Sequence, residues 1–219
     1  KGQKVTYAAD GTLKFPVGTV FVKQFDLPAA VTVSGRSRHL ETRVMVVGAD
    51  TTWGVTYRWN AAGTDATIVT EGTDETILDT ATNTSRNWHY PSFGQCWSCH
   101  REGNYRILGF TAKQLGRMVA DANGAATDQR AVLATKGVFD QAAVASMPAA
   151  LPSPGDMQRT IEERATSYLA ANCSPCHHEG ASYTGGGPTW IATYGAGSLA
   201  ARGLDKTANN YPMTVRVGI

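Results

Sequence analysis

The sequence predicts an α+β protein: an N-terminal all-β, sandwich-like domain followed by a mainly α-helical region. Residues 1–80 are rich in Thr, Val and aromatic residues, and they contain runs in which apolar and polar positions alternate, as in half-buried strands. From about Trp88 onward, apolar residues recur at helical spacing instead. We therefore divide the chain of 219 residues into a β domain over 1–87 and a helical region over 88–219.

Two alternating runs define the predicted sheet. Residues 38–47 read RHLETRVMVV, and residues 53–59 read WGVTYRW. GADT between the runs and AAGTD after them are typical of hairpin turns. Several short strands separated by turns favour a sandwich or a barrel. Three further segments have strand-like composition and are predicted strands: 14–25, 66–70 and 75–79.

Three aromatic residues lie on one face of the second run: Trp53, Tyr57 and Trp59. Because Val55 shares this face, we expect the face to point into the core of the domain. The alternative is an exposed aromatic platform that stacks on sugar rings.

Three helices are predicted in the second region. TAKQLGRMVADA at 111–122 opens with a Thr-x-x-Gln capping arrangement. Asp128 can cap a second helix, which stops before Gly137. The third helix is predicted to begin at SPGD, with Ser153 as the N-cap and a proline at the first helical position. It runs directly into Cys173.

All four cysteines belong to two pentapeptides, CWSCH at 96–100 and CSPCH at 173–177. In a C-x-x-C-H motif, each thiol can add to a vinyl group of one porphyrin, and the adjacent histidine can ligate the iron. The sequence therefore predicts two covalently bound haem c groups, the first within 88–152 and the second within 153–219. The residues that hold them are predicted to be Cys96, Cys99, His100, Cys173, Cys176 and His177.

Three other kinds of site also use paired cysteines. A zinc site needs thiolates or imidazoles that converge from paired motifs. A thioredoxin-like pair is expected at the start of a helix in a βαβ unit, and disulfides need an oxidising compartment. None of the three explains a histidine directly after both pairs, so the motifs favour haem.

The distal iron ligands are predicted to be methionines that lie in loops beside proline. Met147, in VASMPAALP, follows the first motif, and Met213, in NNYPMTVRV, follows the second. The alternative for both is that they fill gaps in a core. His89 is the competing ligand for the first iron, and we interpret it instead as a surface or hydrogen-bonded histidine.

Composition and charge argue against several classes of protein. The formal net charge is +2 with a pI near 8.4, and no run of Lys and Arg forms a nucleic-acid footprint. No apolar run reaches the roughly 18–20 residues that span a bilayer, so no membrane span is predicted. Covalent attachment of haem to reduced thiols implies maturation outside the cytoplasm, which favours a periplasmic or secreted location.

Seven stretches spread over most of residues 15–180 carry a family resemblance: FPVGTVFVKQF, RHLETRVMVV, YRWN, DATIV, YPSFGQCWSCH, ILGFTAKQL and ERATSYLAANCSPCHHEG. The chain resembles secreted bacterial dihaem c-type cytochromes of largely unknown function. The helix before the second motif is also similar to the N-terminal helix of class I cytochromes c. The resemblance implies partnership with periplasmic oxidoreductases, such as a quinoprotein dehydrogenase or a carbohydrate-active oxidoreductase.

The favoured function is electron transfer outside the cytoplasm, between an oxidoreductase and an acceptor. This function needs no catalytic side chain, and the sequence contains no convincing hydrolytic constellation. One alternative is a dihaem peroxidase-like enzyme with one open iron. Another is a carbohydrate- or partner-binding module that carries haem.

Overall fold

The computed structural model describes residues 2–8, 11–28, 35–100, 107–178, 190–195 and 197–198, without the side chains of Ser98 and Cys99. Strands and helices are both present, which confirms the mixed α+β class. The chain divides into two units, Lys1–Ile107 and Leu108–Ile219. The first C-x-x-C-H motif therefore lies in the same unit as the long strands.

The described residues of the first unit form eight strands and one helix. These are β1 (Thr6–Tyr7), β2 (Leu13–Lys14), β3 (Val20–Leu27), β4 (Arg38–Val47), β5 (Thr52–Trp59), β6 (Ala66–Ile68), β7 (Thr73–Asp79), β8 (Thr84–Tyr90) and α1 (Phe93–Cys99). Strands β3, β4, β5 and β6 form a four-stranded antiparallel sheet in that order. Two antiparallel pairs, β1–β2 and β7–β8, accompany this sheet.

The two alternating runs of the sequence are confirmed as β4 and β5, joined by the predicted turn. In that turn the Gly48 N–H donates to the Thr51 carbonyl at 2.8 Å. A Cβ at Gly48 would lie only 2.6 Å from the same carbonyl oxygen, so the turn requires glycine. Strand β8 was not predicted, because Trp88 was assigned to the helical region. It continues the β pattern, and Trp88 pairs with Glu75 of β7.

The prediction that the aromatic face of β5 points into a core is wrong for Trp53, whose surface is 58% exposed. The buried positions of β5 are instead Thr52 and Thr56, at 3% and 0% exposure, on the opposite face. Trp59 is half-buried, and its indole N–H donates to the Thr42 hydroxyl at 2.8 Å. Hydrophobicity alone therefore predicts the wrong buried face for this strand.

A small apolar core joins the four-stranded sheet to the β7–β8 pair. It consists of four buried residues with Leu27 and Trp88 packed against them; the four are Leu40, Val69, Ile77 and Tyr90. Tyr90 is completely buried, so its hydroxyl needs a partner inside the protein.

That partner is the carboxylate of Glu75, which accepts a hydrogen bond of 2.7 Å from the Tyr90 hydroxyl. Arg38 and Arg58 also reach this carboxylate, at 2.6 and 3.0 Å, and the Arg58 guanidinium lies over the Tyr90 ring. Burial, and then the hydrogen bond to Glu75, raise the pKa of Tyr90 to about 12. Burial also raises the pKa of Glu75, but the hydrogen bonds from Tyr90 and Arg38 and the charges of Arg38 and Arg58 outweigh this and lower it overall.

The described residues of the second unit form four helices and one β-hairpin. In chain order these elements are α2 (Ala112–Leu115), β9 (Met118–Ala120), β10 (Ala126–Asp128), α3 (Gln129–Thr135), α4 (Gln141–Ala145) and α5 (Ile161–Asn172). The predicted helix between Asp128 and Gly137 is confirmed as α3, and the Asp128 carboxylate caps it by accepting from the Arg130 N–H.

The helix predicted over 111–122 is wrong beyond Leu115. Its capping threonine is in place, but α2 ends after one turn and the chain continues into the β9–β10 hairpin. The turn of this hairpin contains Asn123-Gly124, with Gly124 at φ +81°, and the Asp121 carboxylate accepts from two of its backbone N–H groups. Asn-Gly is a strong hairpin signal, and it outweighed the helical spacing.

The start predicted for the last helix is also wrong. Ser153 does not cap a helix; its carbonyl accepts from the Asp156 N–H in a turn. Helix α5 begins at Ile161, where Thr160 and Glu163 form a capping box. The Ser-Pro pair was a weaker start signal than this reciprocal pair of hydrogen bonds.

Replacing Tyr90 with Phe should destabilise the first unit by about 2 kcal/mol, because the Glu75 carboxylate loses a buried donor. The loss should shrink in acid, since the lowered pKa of Glu75 means that its contribution is present at neutral pH and disappears as pH falls through that pKa. Urea unfolding followed at several pH values measures both effects. The control Tyr168→Phe, at a position that is 56% exposed, should be nearly neutral. Equal losses in the two variants would contradict the assignment.

Candidate functional site

The first C-x-x-C-H motif forms the last turn of helix α1. Ser92 and Gln95 make a capping box at the start of this helix. At its end, the His100 N–H donates to the Cys96 carbonyl at 3.2 Å. Positions i, i+3 and i+4 of a helix lie on one face, so this turn brings both cysteine positions and the histidine position together.

Helix α1 packs against the start of strand β5. A Cβ at Gly54 would lie 3.7 Å from the Cβ of Cys96, so the strand passes directly beside this cysteine. The ring of Phe93 stacks on Trp53 with centroids 5.7 Å apart, and the Trp97 indole N–H donates to the Thr51 hydroxyl at 3.2 Å. The first motif is therefore supported by the sheet.

His89 connects the β7–β8 pair to the cap of α1. Its Nδ1 lies 2.7 Å from Asp74 Oδ1, and its Nε2 lies 3.1 Å from the Oε1 atom of Gln95. Hydrogen bonding to Asp74, and then to Gln95, raises the pKa of His89, with Arg43 and burial opposing. Gly72 allows this approach, since a Cβ there would collide with the Gln95 side chain and lie 3.1 Å from the His89 ring. Both ring nitrogens of His89 therefore have hydrogen-bond partners.

The second motif follows helix α5 without a break. Its first cysteine, Cys173, is the C-cap of the helix, and the His177 N–H donates to its carbonyl at 2.8 Å. The Cys176 N–H donates to the same carbonyl at 3.1 Å. Burial, and then the neighbouring Cys176, raise the pKa of Cys173. Both motifs thus close the same backbone turn between the histidine and the first cysteine.

The His177 side chain is itself supported by an aromatic ring. Trp190 stacks on the imidazole with centroids 4.0 Å apart and ring planes inclined by 18°. The Ala192 N–H donates to the His177 carbonyl at 2.7 Å, and Lys113 of α2 donates to the Tyr194 carbonyl at 3.0 Å. The segment 190–195 therefore links the second motif to α2 within the second unit.

The thiols of the described residues fit a covalently attached group. Cys96 and Cys173 are half-buried and Cys176 is exposed, and all three are free. Among the described residues, no three His, Cys, Asp or Glu side chains form a cluster that could hold a metal ion by themselves. The side chain of Cys99 lies outside the described residues. Free thiols one helical turn from a histidine are the donor set that haem c requires.

Met147 is buried, with only 9% of its surface exposed, in the loop that follows α4. Its N–H donates to the Val144 carbonyl at 3.1 Å. It belongs to the second unit with His177, whereas His100 belongs to the first. The other predicted distal ligand, Met213, lies outside the described residues.

Arg130 fixes the loop that carries Met147. This arginine is 8% exposed, and it donates to the Pro148 carbonyl at 2.6 Å and to the Ala112 carbonyl at 3.4 Å. Its guanidinium also pairs with the Asp128 carboxylate at 2.6 Å, which lowers the pKa of Asp128. One buried cation therefore ties the start of α2, the cap of α3 and the methionine loop together.

Comparison of the chain with protein-family models, curated proteins and solved structures finds no match. Over the described parts of the chain, no helix is long and apolar enough to cross a membrane.

Sequence reasoning missed three supporting residues: Gln95 and Trp190, which support the motifs, and Arg130, which anchors the loop of Met147. Arg130 had a local signal, since a basic residue two positions after a capping Asp can pair with it. Gln95 also had one, because Ser92 and Gln95 have the spacing of a capping box. Trp190 had none, because its contact with His177 depends on how the intervening chain folds back.

The pairing of His89 should make unfolding dependent on pH. A raised folded-state pKa stabilises the protein fully below the unfolded value near 6.5, and the stabilisation is lost as pH rises through the raised value. Between about pH 6 and pH 8, the melting temperature should therefore fall more in the native protein than in His89→Gln. Asp74→Asn should flatten the profile in the same way. An identical pH profile in all three proteins would contradict the pairing.

Replacing Arg130 with Met keeps its bulk but removes the guanidinium donor of the Pro148 carbonyl and of the Asp128 carboxylate, which retains only the backbone N–H of residue 130. We expect a loss of about 3 kcal/mol in the free energy of unfolding. Arg117→Met is the matched control, because Arg117 is exposed and its guanidinium donates to a side-chain amide oxygen, that of Gln129, at 3.0 Å. Its loss should stay within about 0.5 kcal/mol. Chemical denaturation measures both, and similar losses would exclude an anchoring role for Arg130.

Proposed function

We propose that this protein is a dihaem c-type cytochrome that carries electrons between an oxidoreductase and an acceptor in the periplasm or outside the cell. The observation that carries the proposal is the turn shared by both motifs. In each, the histidine N–H donates to the carbonyl of the first cysteine, at 3.2 Å for His100 and 2.8 Å for His177. An N-terminal sandwich-like domain followed by a helical cytochrome region is part of the same proposal.

The chain's residues have distinct roles in this function. Each cysteine thiol adds its S–H across a vinyl C=C, forming a C–S bond while the proton goes to the other vinyl carbon. No atoms leave, so the protein gains the full mass of each haem. His100 and His177 would each ligate the iron of one bound haem. When bound, haem supplies an iron that gains or loses one electron, with its potential set by the axial ligands and burial.

Of the two proposed distal ligands, Met147 lies among the described residues and Met213 does not. Its burial and the anchoring of Pro148 by Arg130 hold its loop in one position. The sequence assigns it to the first iron, but its unit also contains His177. Single-haem variants can decide between these two irons.

The test is the denatured intact mass of protein matured in the periplasm of a host that attaches haem c. We expect an increment of two haems, which falls to one in Cys96→Ser/Cys99→Ser and in Cys173→Ser/Cys176→Ser. No increment in the native protein would overturn the proposal.

Visible spectra of the same samples test the distal ligand and the carrier function. Low-spin spectra are expected of a carrier, and a high-spin component in the native protein would favour the open-iron, peroxidase-like enzyme instead. Met147→Ala in each single-haem variant should convert one of the two haems to high spin and leave the other unchanged. Met157→Ala, at a position that is 75% exposed, is the control and should change neither.

A further inference from the structure

Three large aromatic side chains are exposed around the first motif. The exposed fractions of Trp53, Phe93 and Trp97 are 58%, 39% and 42%. Exposed apolar residues that occur singly need no explanation, but a contiguous group marks a surface that something covers. Trp53 and Phe93 stack on each other, and Trp97 is held by its hydrogen bond to Thr51, so these rings have fixed places.

Two residues of the motif, Cys96 and His100, share a face of helix α1 with two of these rings. Phe93, Cys96, Trp97 and His100 follow the spacing i, i+3, i+4 and i+7, which places them along one side of a helix. The aromatic surface formed by Trp53, Phe93 and Trp97 is therefore continuous with the first cysteine and the histidine of the motif.

Strand β5 passes directly beside this face. A Cβ at Gly54 would lie 3.7 Å from the Cβ of Cys96, so the strand and this cysteine are neighbours. Trp53 directly precedes this glycine, and its ring, which is 58% exposed, stacks on Phe93. A flat, apolar group tethered through the sulfur of Cys96 would therefore lie close to the exposed rings.

We propose that the aromatic surface of Trp53, Phe93 and Trp97 is the wall against which the porphyrin of the first haem lies. This inference rests on the proposed function, and it adds that strand β5, through Trp53, builds part of the first haem site. The tether selects the porphyrin over a free ligand, because a group bonded to Cys96 is held within a side-chain length of these rings. Burial of the rings stabilises the attached haem through apolar contact.

The test measures the chemical reactivity of each tryptophan in the full-length holoprotein. 2-Hydroxy-5-nitrobenzyl bromide labels exposed indoles, and peptide mass spectrometry reports the labelling rate at each position. We expect Trp53 and Trp97 to react at least several-fold more slowly in the holoprotein than in Cys96→Ser/Cys99→Ser, which lacks the first haem. Trp59 of the same strand and Trp190 of the second unit are internal controls and should react equally in both.

The outcomes separate this inference from the proposed function. The denatured mass first shows whether the haem is attached, and its absence would overturn both. If the haem is attached but Trp53 and Trp97 react equally in the two proteins, the inference that these rings contact the porphyrin is wrong. The proposed function as a cytochrome is then unaffected. If Trp53 and Trp97 are protected from labelling only when a soluble oligosaccharide is added, the inference is also wrong, and the rings form a sugar-binding surface instead.

A second measurement covers the case in which the double serine variant fails to fold. In Cys173→Ser/Cys176→Ser, which keeps only the first haem, Trp53→Leu and Trp97→Leu should each change the Soret circular dichroism without changing the haem content. Trp59→Leu is the matched control and should leave this signal as it is. An unchanged Soret circular dichroism in both test variants would contradict the inference that these rings lie against the porphyrin.

Discussion

One helical turn is the constraint on which the rest of this structure depends. Two cysteines and a histidine at positions i, i+3 and i+4 can act on one group only if the backbone between them is helical, and in both motifs the histidine N–H closes that turn on the first cysteine carbonyl. A short helix is marginal by itself, so each turn needs support from its surroundings. In α1 this support is a capping box and the packing against β5, and in α5 it is a capping box and a longer helix.

The two turns are supported in different ways, and the difference follows the two units of the chain. The first motif depends on side chains from the β unit: Trp53 stacks on Phe93, Thr51 accepts from Trp97, and His89 reaches the capping Gln95. The second motif depends on contacts within the second unit, where Trp190 stacks on His177. The strands are therefore more than a separate domain placed ahead of the helical elements, because they support the first motif directly.

The sequence was a good guide to elements with strong local signals and a poor one where two signals competed. Strands β4 and β5 and their turn could be predicted, because the alternation is strict and GADT has turn composition. The helix expected over 111–122 failed, since Asn-Gly favours a hairpin more strongly than a few apolar residues favour a helix. The cysteines and histidines of the site follow from spacing alone. Their supporting residues do not, because the contact between Trp190 and His177, or between Trp53 and Phe93, depends on tertiary packing that no local pattern encodes.

Arg130 has a consequence for the order in which the second unit assembles. Its two carbonyl partners, Ala112 and Pro148, each lie 18 residues away along the chain, one on either side. Loops of this length close at small entropic cost, and structures built from such local contacts form rapidly. The loop of Met147 can therefore form before the segment around Cys173 is ordered, so that the proposed distal ligand is in place ahead of the second motif. Pulsed hydrogen exchange during refolding would detect this order as earlier protection at α3 than at α5.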